Sequence, residues 1–287
     1  MTGPSRDRSR SAVGKALGVL LTLGACLTLG HATAEAGIGW SKLDPAQIVP
    51  MEQIPVEFRE PVAEVIRDCT FHRKGEAEAF PCDPSLYLSL VNEPAITLAL
   101  WKDLADNPVS LKRLGPDDYS GDDGMGSSAA WRFVLRSPKT HVVLANVSYV
   151  GGPRGGAQID ARVVLVLRAG YYREVNKQPY IQHDVEAFVK VDSRGWKTLA
   201  RTFRPLIEKL MDEQVKEAGQ FVSLMSRLVV SYPDWATDVA MREPEATPET
   251  RAQFRTLVAA NRLPDASPGR PVVMADAAQA AMDSRRR

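Results

Sequence analysis

The chain has few cysteines, no excess of charge of either sign and a single long apolar run. Three cysteines in 287 residues exclude a disulfide-rich scaffold. The 36 basic and 35 acidic side chains give a formal net charge of +1, so nucleic acid is not an expected partner. Metalloprotease, P-loop and nucleophile-elbow patterns are absent, which excludes those catalytic machineries.

The long apolar run lies near the N-terminus and has the form of an export signal. Four basic side chains precede it: Arg6, Arg8, Arg10 and Lys15. The apolar core covers 16–30, and Ala34 and Ala36 form a small-x-small cleavage site before Gly37. This core is shorter than the ~20 residues that span a bilayer. We therefore expect a signal peptide at 1–36 and an exported mature protein, periplasmic or extracellular.

A lipid anchor is the alternative for this segment. Residues 23–26, Leu-Gly-Ala-Cys, have the form of a lipobox, in which the Cys26 thiol would carry a diacylglycerol. The apolar run continues through Leu27 and Leu29, where a lipoprotein usually turns polar. The sequence therefore favours cleavage over anchoring through Cys26.

Two cysteines, Cys69 and Cys82, would remain after cleavage. In an oxidising compartment such a pair forms a disulfide more often than two free thiols, and the chain can turn back at Gly75 between them. We therefore predict a Cys69–Cys82 bridge. A zinc site would need His72 and Asp83 as well, but the pattern lacks a second close pair of ligands. We expect neither a metal nor a cofactor.

The rest of the chain has an ordinary globular composition, with 44% hydrophobic and 25% charged residues. A Pro-rich lead at 37–61 is expected to pack on an α+β domain at 62–240. The tail at 241–287 is rich in Pro, Ala and Arg, so we predict that it is mostly disordered apart from one weak helix at 249–263.

The first half of the domain alternates helical and extended patterns. We predict a helix at 57–66, extended structure around 69–73 and a strand that ends at Pro81. Asp83 is then a good N-cap, since Pro84 suits the first helical position. A second short helix is predicted to begin near Pro94.

The second half begins with an acidic, Gly-rich loop at 116–126 and then shows strand periodicity. Side chains alternate in four segments: 131–136, 141–150, 163–168 with an extension at 171–175, and 180–191. No helical segment separates them, so we predict an antiparallel sheet. A calcium site in the loop would need the EF-hand pattern, which the loop lacks, and a solvated loop is expected instead.

A long amphipathic helix is predicted from about residue 193 to Ser231. Apolar side chains recur at three- and four-residue intervals from Ile207 to Val229, so one face must be buried. Tyr232 and Pro233 are expected to end the helix.

The stretch Phe80-Pro-Cys-Asp-Pro-Ser-Leu-Tyr87, with Trp101 after the second short helix, is similar to the opening of START-like, or SRPBCC, helix-grip proteins. The order of elements over 62–238 resembles the same superfamily, and the chain also resembles uncharacterised exported bacterial proteins of this layout. The resemblance implies an α+β fold in which a long C-terminal helix grips an antiparallel sheet. In those families the gap between helix and sheet binds lipids, sterols, polyketides or other apolar ligands.

The resemblance also implies a set of residues that would line this gap. They are Trp131, Phe133, Tyr149, Leu165, Leu167, His183, Val185, Met211, Phe221 and Met225. We expect an exported, non-enzymatic protein that binds an apolar small molecule or lipid. The alternative is a structural or protein-interaction module in which the same side chains fill the core. Peripheral contact with a membrane stays open, and the sequence does not predict the oligomeric state.

His183 carries the only candidate catalytic chemistry. Strand alternation places it on the same face as Ile181 and Val185, where its imidazole would be buried. Such a ring could hold the polar end of a ligand or act as a base near neutral pH, or it could be a core histidine with its hydrogen bonds satisfied. No Ser or Cys can be paired with it, so a cyclase-like or hydrolase-like enzyme is the less favoured function. The opposite face, with Asp184, Glu186 and Lys190, is expected to be solvated.

Overall fold

The computed structural model describes residues 43–105, 109–124, 126–150, 158–192, 215–216 and 218–271. The predicted signal peptide at 1–36, including Cys26, lies outside the described residues. Among the described helices, none has both the length and the apolar character that crossing a membrane requires.

Among the described residues, eight strands form one sheet in which all paired neighbours are antiparallel, as predicted. They are β1 (Phe71–Lys74), β2 (Glu78–Pro81), β3 (Ser110–Arg113), β4 (Asp118–Asp122), β5 (Ser127–Arg136), β6 (Thr140–Val150), β7 (Gln158–Arg173) and β8 (Pro179–Val191). Their order across the sheet is β1-β8-β7-β6-β5-β4-β3, and β2 also pairs with β8.

The helices that the structure describes are mostly short. They are α1 (Pro45–Ile48), α2 (Val56–Arg67), α3 (Pro84–Asn92), α4 (Pro94–Ala105), α5 (218–231), α6 (Pro233–Arg242) and α7 (Pro248–Ala260). The Asp83 carboxylate accepts hydrogen bonds from the backbone N–H groups of Ser85 and Leu86, which confirms the predicted N-cap of α3. The α+β class is thus confirmed.

The predicted length of the last domain helix is not confirmed. Residues 215–216 and 218–231 are helical, but the remainder of the predicted helix lies outside the described residues. Helix α5 ends before Tyr232, as expected, and α6 then begins at Pro233. A proline is tolerated there because it occupies the first turn, where its missing N–H costs no hydrogen bond.

The predicted disulfide is absent, because Cys69 and Cys82 are free thiols at opposite ends of β8. Thr70, next to Cys69, donates its N–H to Val189, whereas the Cys82 N–H bonds to Pro179. The chain therefore runs on along β8 and does not turn back at Gly75. At about 3.4 Å per residue, the two cysteines are on the order of 30 Å apart, whereas disulfide-bonded Cα atoms lie about 6 Å apart. No metal-ligand cluster occurs among the described residues.

The sheet carries a hydrophobic core on each face. We call the face under α3, α4 and α5 the front face, and α6 and α7 extend its core by packing on these helices. Its buried residues include Phe80, Tyr87, Leu90, Trp101, Tyr119, Trp131, Ile181, Phe221, Met225, Trp235 and Phe254. The back face is covered by α1 and α2 through residues that include Val49, Ile54, Val62, Val65, Val142, Val166 and Phe188. The N-terminal lead therefore packs on the domain, as predicted.

The back face of β8 is not the solvated surface that the sequence suggested. Glu186 is only 7% exposed and bonds to Nε2 of His72 and to Arg168, each at 2.7 Å. The His72 ring stacks on Phe188 with centroids 4.5 Å apart. Arg168 also donates to the backbone carbonyl of Ile48, so charged side chains fasten the lead to the sheet. This face of β8 is buried and not solvated because the N-terminal lead covers it.

Two further expectations are corrected. The predicted acidic loop contains strand β4, in which Tyr119 is fully buried while Asp118 bonds to Arg132 of β5. The tail at 241–287 contains the helix predicted at 249–263, as α7, but this helix is part of the fold, because its Phe254 and Val258 enter the front core. Residues 272–287 lie outside the described residues.

Candidate functional site

A cavity of about 210 Å³ lies between the front face of the sheet and α5. Its walls come from five strands and three helices and are almost entirely apolar. The lining residues are Leu90, Val91, Pro94, Thr97, Ser110, Leu111, Trp131, Phe133, His141, Val143, Leu165, Leu167, Val185, Ala218, Phe221 and Val222.

The floor of the cavity consists of two rows of cross-strand neighbours. The first row pairs Phe133 with Val143 and Val143 with Leu165. The second pairs His141 with Leu167, and Leu167 with Val185. Because side chains opposite each other in antiparallel strands point to the same face, the registry of β5 to β8 places all of these on one continuous surface.

The roof comes from α3, α4 and α5. Phe221 and Val222 lie on the same side of α5 as Ala218, because they follow it by three and four residues. Phe221 is held edge-to-face by Trp101 of α4, with ring centroids 5.5 Å apart. The Thr97 hydroxyl donates to the Leu90 carbonyl at 2.6 Å, so its hydrogen is already engaged between α4 and α3. The roof of the cavity is therefore mainly apolar and offers few free hydrogen-bond donors or acceptors.

His141 is the only ionisable side chain among the described residues that line the cavity. It is 2% exposed, and its ring lies edge-on to Phe133. Nε2 is 3.0 Å from Oδ1 of Asn92. Since an amide oxygen only accepts, Nε2 carries the proton and Nδ1 is an unprotonated acceptor. Burial, assisted by the nearby Arg136 charge, lowers the pKa of His141 to about 4, so the ring is neutral at pH 7.

The structure brings six of the ten predicted lining residues to this cavity. They are Trp131, Phe133, Leu165, Leu167, Val185 and Phe221. Met225 is fully buried in the front core, and Tyr149 lies further along β6, where it pairs with Ser127; neither lines the cavity. Met211 lies outside the described residues.

His183 does not line the cavity, and of its two predicted roles the structure agrees with a core histidine whose hydrogen bonds are satisfied. Its Nδ1 lies 3.1 Å from the Tyr87 hydroxyl, and its Nε2 lies 2.9 Å from the Gly219 carbonyl. The ring also meets Phe80 edge-to-face. Burial lowers the pKa of His183. Because both ring nitrogens are already hydrogen-bonded within the core, neither is free to act as a base.

The sequence interpretation missed His141 and its neighbour Val143. The same alternation that selected His183 also applies to β6, where His141, Val143, Ala145 and Val147 share a face. The alternation in β6 could therefore have identified His141 as an inward-facing residue. Its hydrogen bond to Asn92 could not be predicted, because only the fold brings the end of α3 beside the start of β6.

A second, open groove of about 740 Å³ crosses the uncovered part of the back face. Serine, aspartate and alanine side chains line much of it, and many are exposed, as is usual for the solvated face of an antiparallel sheet. Its arginine, Arg162, is already paired with Glu64 and Asp192. The front-face cavity is therefore the stronger candidate site.

No family model matches the chain, and no curated protein matches it. Among solved structures, a START superfamily protein from Mycobacterium smegmatis is 9% identical, covers 54% of this chain and 97% of its own, and has a TM-score of 0.31. A conserved protein from Geobacillus kaustophilus is 15% identical over 50% and 95% of the two chains, with a TM-score of 0.31. Ara h 8.0201 is 12% identical over 50% and 97%, with a TM-score of 0.25. At these TM-scores the likenesses carry no argument about function.

Proposed function

We propose that the protein binds a small apolar molecule in the cavity between the front face and α5. The cavity itself carries the proposal, because packed protein interiors leave few voids larger than a water molecule. An apolar cavity of about 150 Å³ stays dry and binds benzene. A cavity of about 210 Å³ therefore suits an occupant of roughly ten non-hydrogen atoms.

This volume favours a compact ligand over a large one. Pockets for drug-sized molecules have volumes of roughly 300–1,000 Å³. A phospholipid or sterol would thus be larger than the pocket that the described residues line. We include in the proposal that α5 is the end of the long helix predicted from residue 193, so that a helix-grip arrangement forms the roof.

Binding without catalysis is the better-supported function. Apart from His141, the described cavity wall offers only the hydroxyls of Thr97 and Ser110 and no carboxylate or thiol. General acid–base chemistry would need a second group within reach of a bound substrate. The alternative of a module with a filled core is disfavoured because the described residues leave space between the sheet and α5.

Calorimetric titration with naphthalene, a bicyclic hydrocarbon of about the right size, tests the proposal. The wild-type protein should bind one equivalent. Ala218→Phe places a ring in the cavity and should weaken binding at least tenfold. Gln220→Phe adds the same ring on the exposed side of α5 and should leave binding unchanged. Absence of binding by the wild type, or equal binding by Ala218→Phe, would overturn the proposal.

We further propose that the protein is exported. The supporting features are the basic n-region, the apolar core and the small residues at Ala34 and Ala36. In a bacterial host, the intact mass of protein from the periplasm or medium should correspond to a chain that begins at Gly37, and Ala36→Arg should block this cleavage. A full-length cytoplasmic product, or lipid attached to Cys26, would contradict the proposal.

A further inference from the structure

The hairpin of β7 and β8 projects beyond the neighbouring strand β6. β6 pairs with β7 no further than Arg168, but β7 and β8 remain paired as far as Arg173 and Pro179. Residues 172–178 are all exposed. We call the projecting part, residues 172–180, the hairpin tip.

The hairpin tip carries an aliphatic side chain, that of Val175, which is fully exposed. Hydrogen bonds hold the turn around it. The Glu174 N–H donates to the Gln178 carbonyl, and the Lys177 N–H donates to the Glu174 carbonyl. The Arg173 guanidinium also donates to the Lys177 carbonyl at 2.8 Å. The turn therefore presents Val175 to the surroundings at a defined place.

Two tyrosines lie directly behind this valine. Tyr172 of β7 and Tyr180 of β8 are opposite each other, so both point to the back face, and their rings stack with centroids 5.5 Å apart. Tyr172 remains 42% exposed. A tyrosine has an apolar ring and a polar hydroxyl, so it suits the boundary between an apolar layer and water. The hairpin tip is thus apolar at its end and amphipathic behind it.

Basic side chains flank Val175 on both sides. Arg173 precedes it and Lys177 follows it, and both are exposed, whereas Glu174 is the only carboxylate of the hairpin tip. Lys177 has a φ of 64°, a left-handed conformation that glycine and asparagine adopt more easily. The turn geometry therefore does not explain why a lysine stands at this position.

We propose that the hairpin tip docks the protein on the surface of an anionic phospholipid bilayer. Val175 inserts below the headgroups, and Tyr172 and Tyr180 lie at the level of the headgroups. Arg173 and Lys177 extend their charges toward the lipid phosphates. This contact is independent of the proposed function, because no residue of the hairpin tip lines the front-face cavity.

The size of the hairpin tip favours a lipid surface over a protein partner. A stable protein interface takes roughly 20–30 residues from each partner, which far exceeds the tip. A bilayer needs no matching pocket, since its fluid surface accommodates a convex apolar end. Each basic residue near an anionic surface strengthens binding roughly fivefold, so the expected contact is weak and reversible.

Co-sedimentation of the mature protein with vesicles tests the proposal. The protein should bind vesicles of phosphatidylglycerol and phosphatidylcholine more strongly than vesicles of phosphatidylcholine alone, and high salt should weaken this binding. Val175→Asp should reduce binding at least tenfold, because a charged side chain does not enter the apolar layer. Val150→Asp changes another exposed valine, at the opposite end of the sheet, and should leave binding unchanged.

Two further substitutions test the same surface. Lys177→Glu should weaken binding to the anionic vesicles at least fivefold, whereas Arg255→Glu, at an exposed position of α7, should change it by no more than about twofold. Val175→Trp should strengthen binding, because tryptophan favours the membrane interface. A gain of binding cannot result from misfolding, so this variant keeps the test decisive.

Three results would overturn the proposal. The first is that the wild-type protein does not bind the anionic vesicles, or binds both kinds of vesicle equally. The second is equal binding by Val175→Asp and Val150→Asp, which would place the contact elsewhere in the chain. The third is a wild-type dimer in sedimentation velocity that Val175→Asp dissociates without any effect on vesicle binding, which would make the hairpin tip a contact between two copies.

Discussion

The Tyr87 hydroxyl lies 3.1 Å from Nδ1 of His183, which ties α3 to β8 inside the front core. Nε2 of the same ring lies 2.9 Å from the Gly219 carbonyl of α5. Since the carbonyl only accepts, Nε2 donates to Gly219 and the Tyr87 hydroxyl donates to Nδ1. One imidazole thus joins a strand to two of the helices that roof the cavity.

Tyr87→Phe should lower the free energy of unfolding by about 1–3 kcal/mol, because it leaves Nδ1 of His183 buried without a donor. Urea denaturation measures the change. Tyr172→Phe, which removes a hydroxyl from a half-exposed tyrosine on β7, is the matched control and should change stability by less than about 0.5 kcal/mol. Equal stabilities of the two variants would show that the Tyr87 hydrogen bond is not formed.

Acid should destabilise the protein through His141. Its folded-state pKa of about 4 lies below the ordinary value of 6.5, so the unfolded chain binds the proton more readily. Stability is therefore fully present above about pH 6.5 and falls as the pH drops toward 4, by up to about 3 kcal/mol. Urea midpoints between pH 7 and pH 4 should fall more steeply for the wild type than for His141→Phe. Parallel pH profiles would contradict this assignment.

The attachment of α2 to the back face should depend on Glu64. This carboxylate bonds to Arg162 and Lys190, each at 2.6 Å, and these bonds lower its pKa to about 2. Its contribution is present above the ordinary carboxyl pKa of 4.5 and is lost as the pH falls toward 2.

Glu64→Gln should therefore destabilise the protein at pH 7, and the difference from wild type should shrink in high salt and in acid. Thermal unfolding at low and high salt measures it. Glu60→Gln, which changes an exposed carboxylate on the same helix, should have a smaller effect. Equal losses in the two variants would contradict a special role for Glu64.

Both cysteines of the mature chain should remain reduced. Cys82 is buried, and burial raises the pKa of its thiol to about 11, whereas Cys69 is half-buried. A thiol reagent should therefore label Cys69 faster than Cys82 in the folded protein, and both after unfolding. A mass lower than that of the reduced chain by two hydrogen atoms would indicate a Cys69–Cys82 disulfide. Such a bond would contradict the pairing of β1 and β2 with β8.

Helix α7 should be part of the cooperative fold. Phe254 is 0% exposed in the front core, so Phe254→Ala should cost about 3–5 kcal/mol. Gln253→Ala, at an exposed position beside it, is the control and should be nearly neutral. Urea denaturation compares the two. A negligible loss in Phe254→Ala would support the original expectation of a loosely attached tail.

Short-range sequence patterns correctly predicted several strands and helix starts. Alternation at Trp131 and Phe133, the N-cap at Asp83 and the prolines that open helices each express a preference within a few residues, and the structure agrees with them. Strand β4 was missed because one buried side chain, Tyr119, stands among acidic and glycine residues. Its strand conformation depends on pairing with β3 and β5, which no local signal reveals.

The candidate site was predictable only in part, for the same reason. Phe133, Leu165 and Phe221 were found because they belong to periodic apolar faces. Whether such faces enclose a cavity or a filled core depends on how closely α5 approaches the sheet, which periodicity does not encode. The hydrogen bond between Asn92 and His141 joins residues far apart in the chain, so only the fold reveals it.

A crystal structure of the mature protein with 2-naphthol would show whether the front-face cavity binds a small aromatic molecule. We expect one naphthol among Phe133, Leu165 and Phe221. A cavity closed by these side chains, with naphthol absent or bound only at the surface, would contradict this expectation.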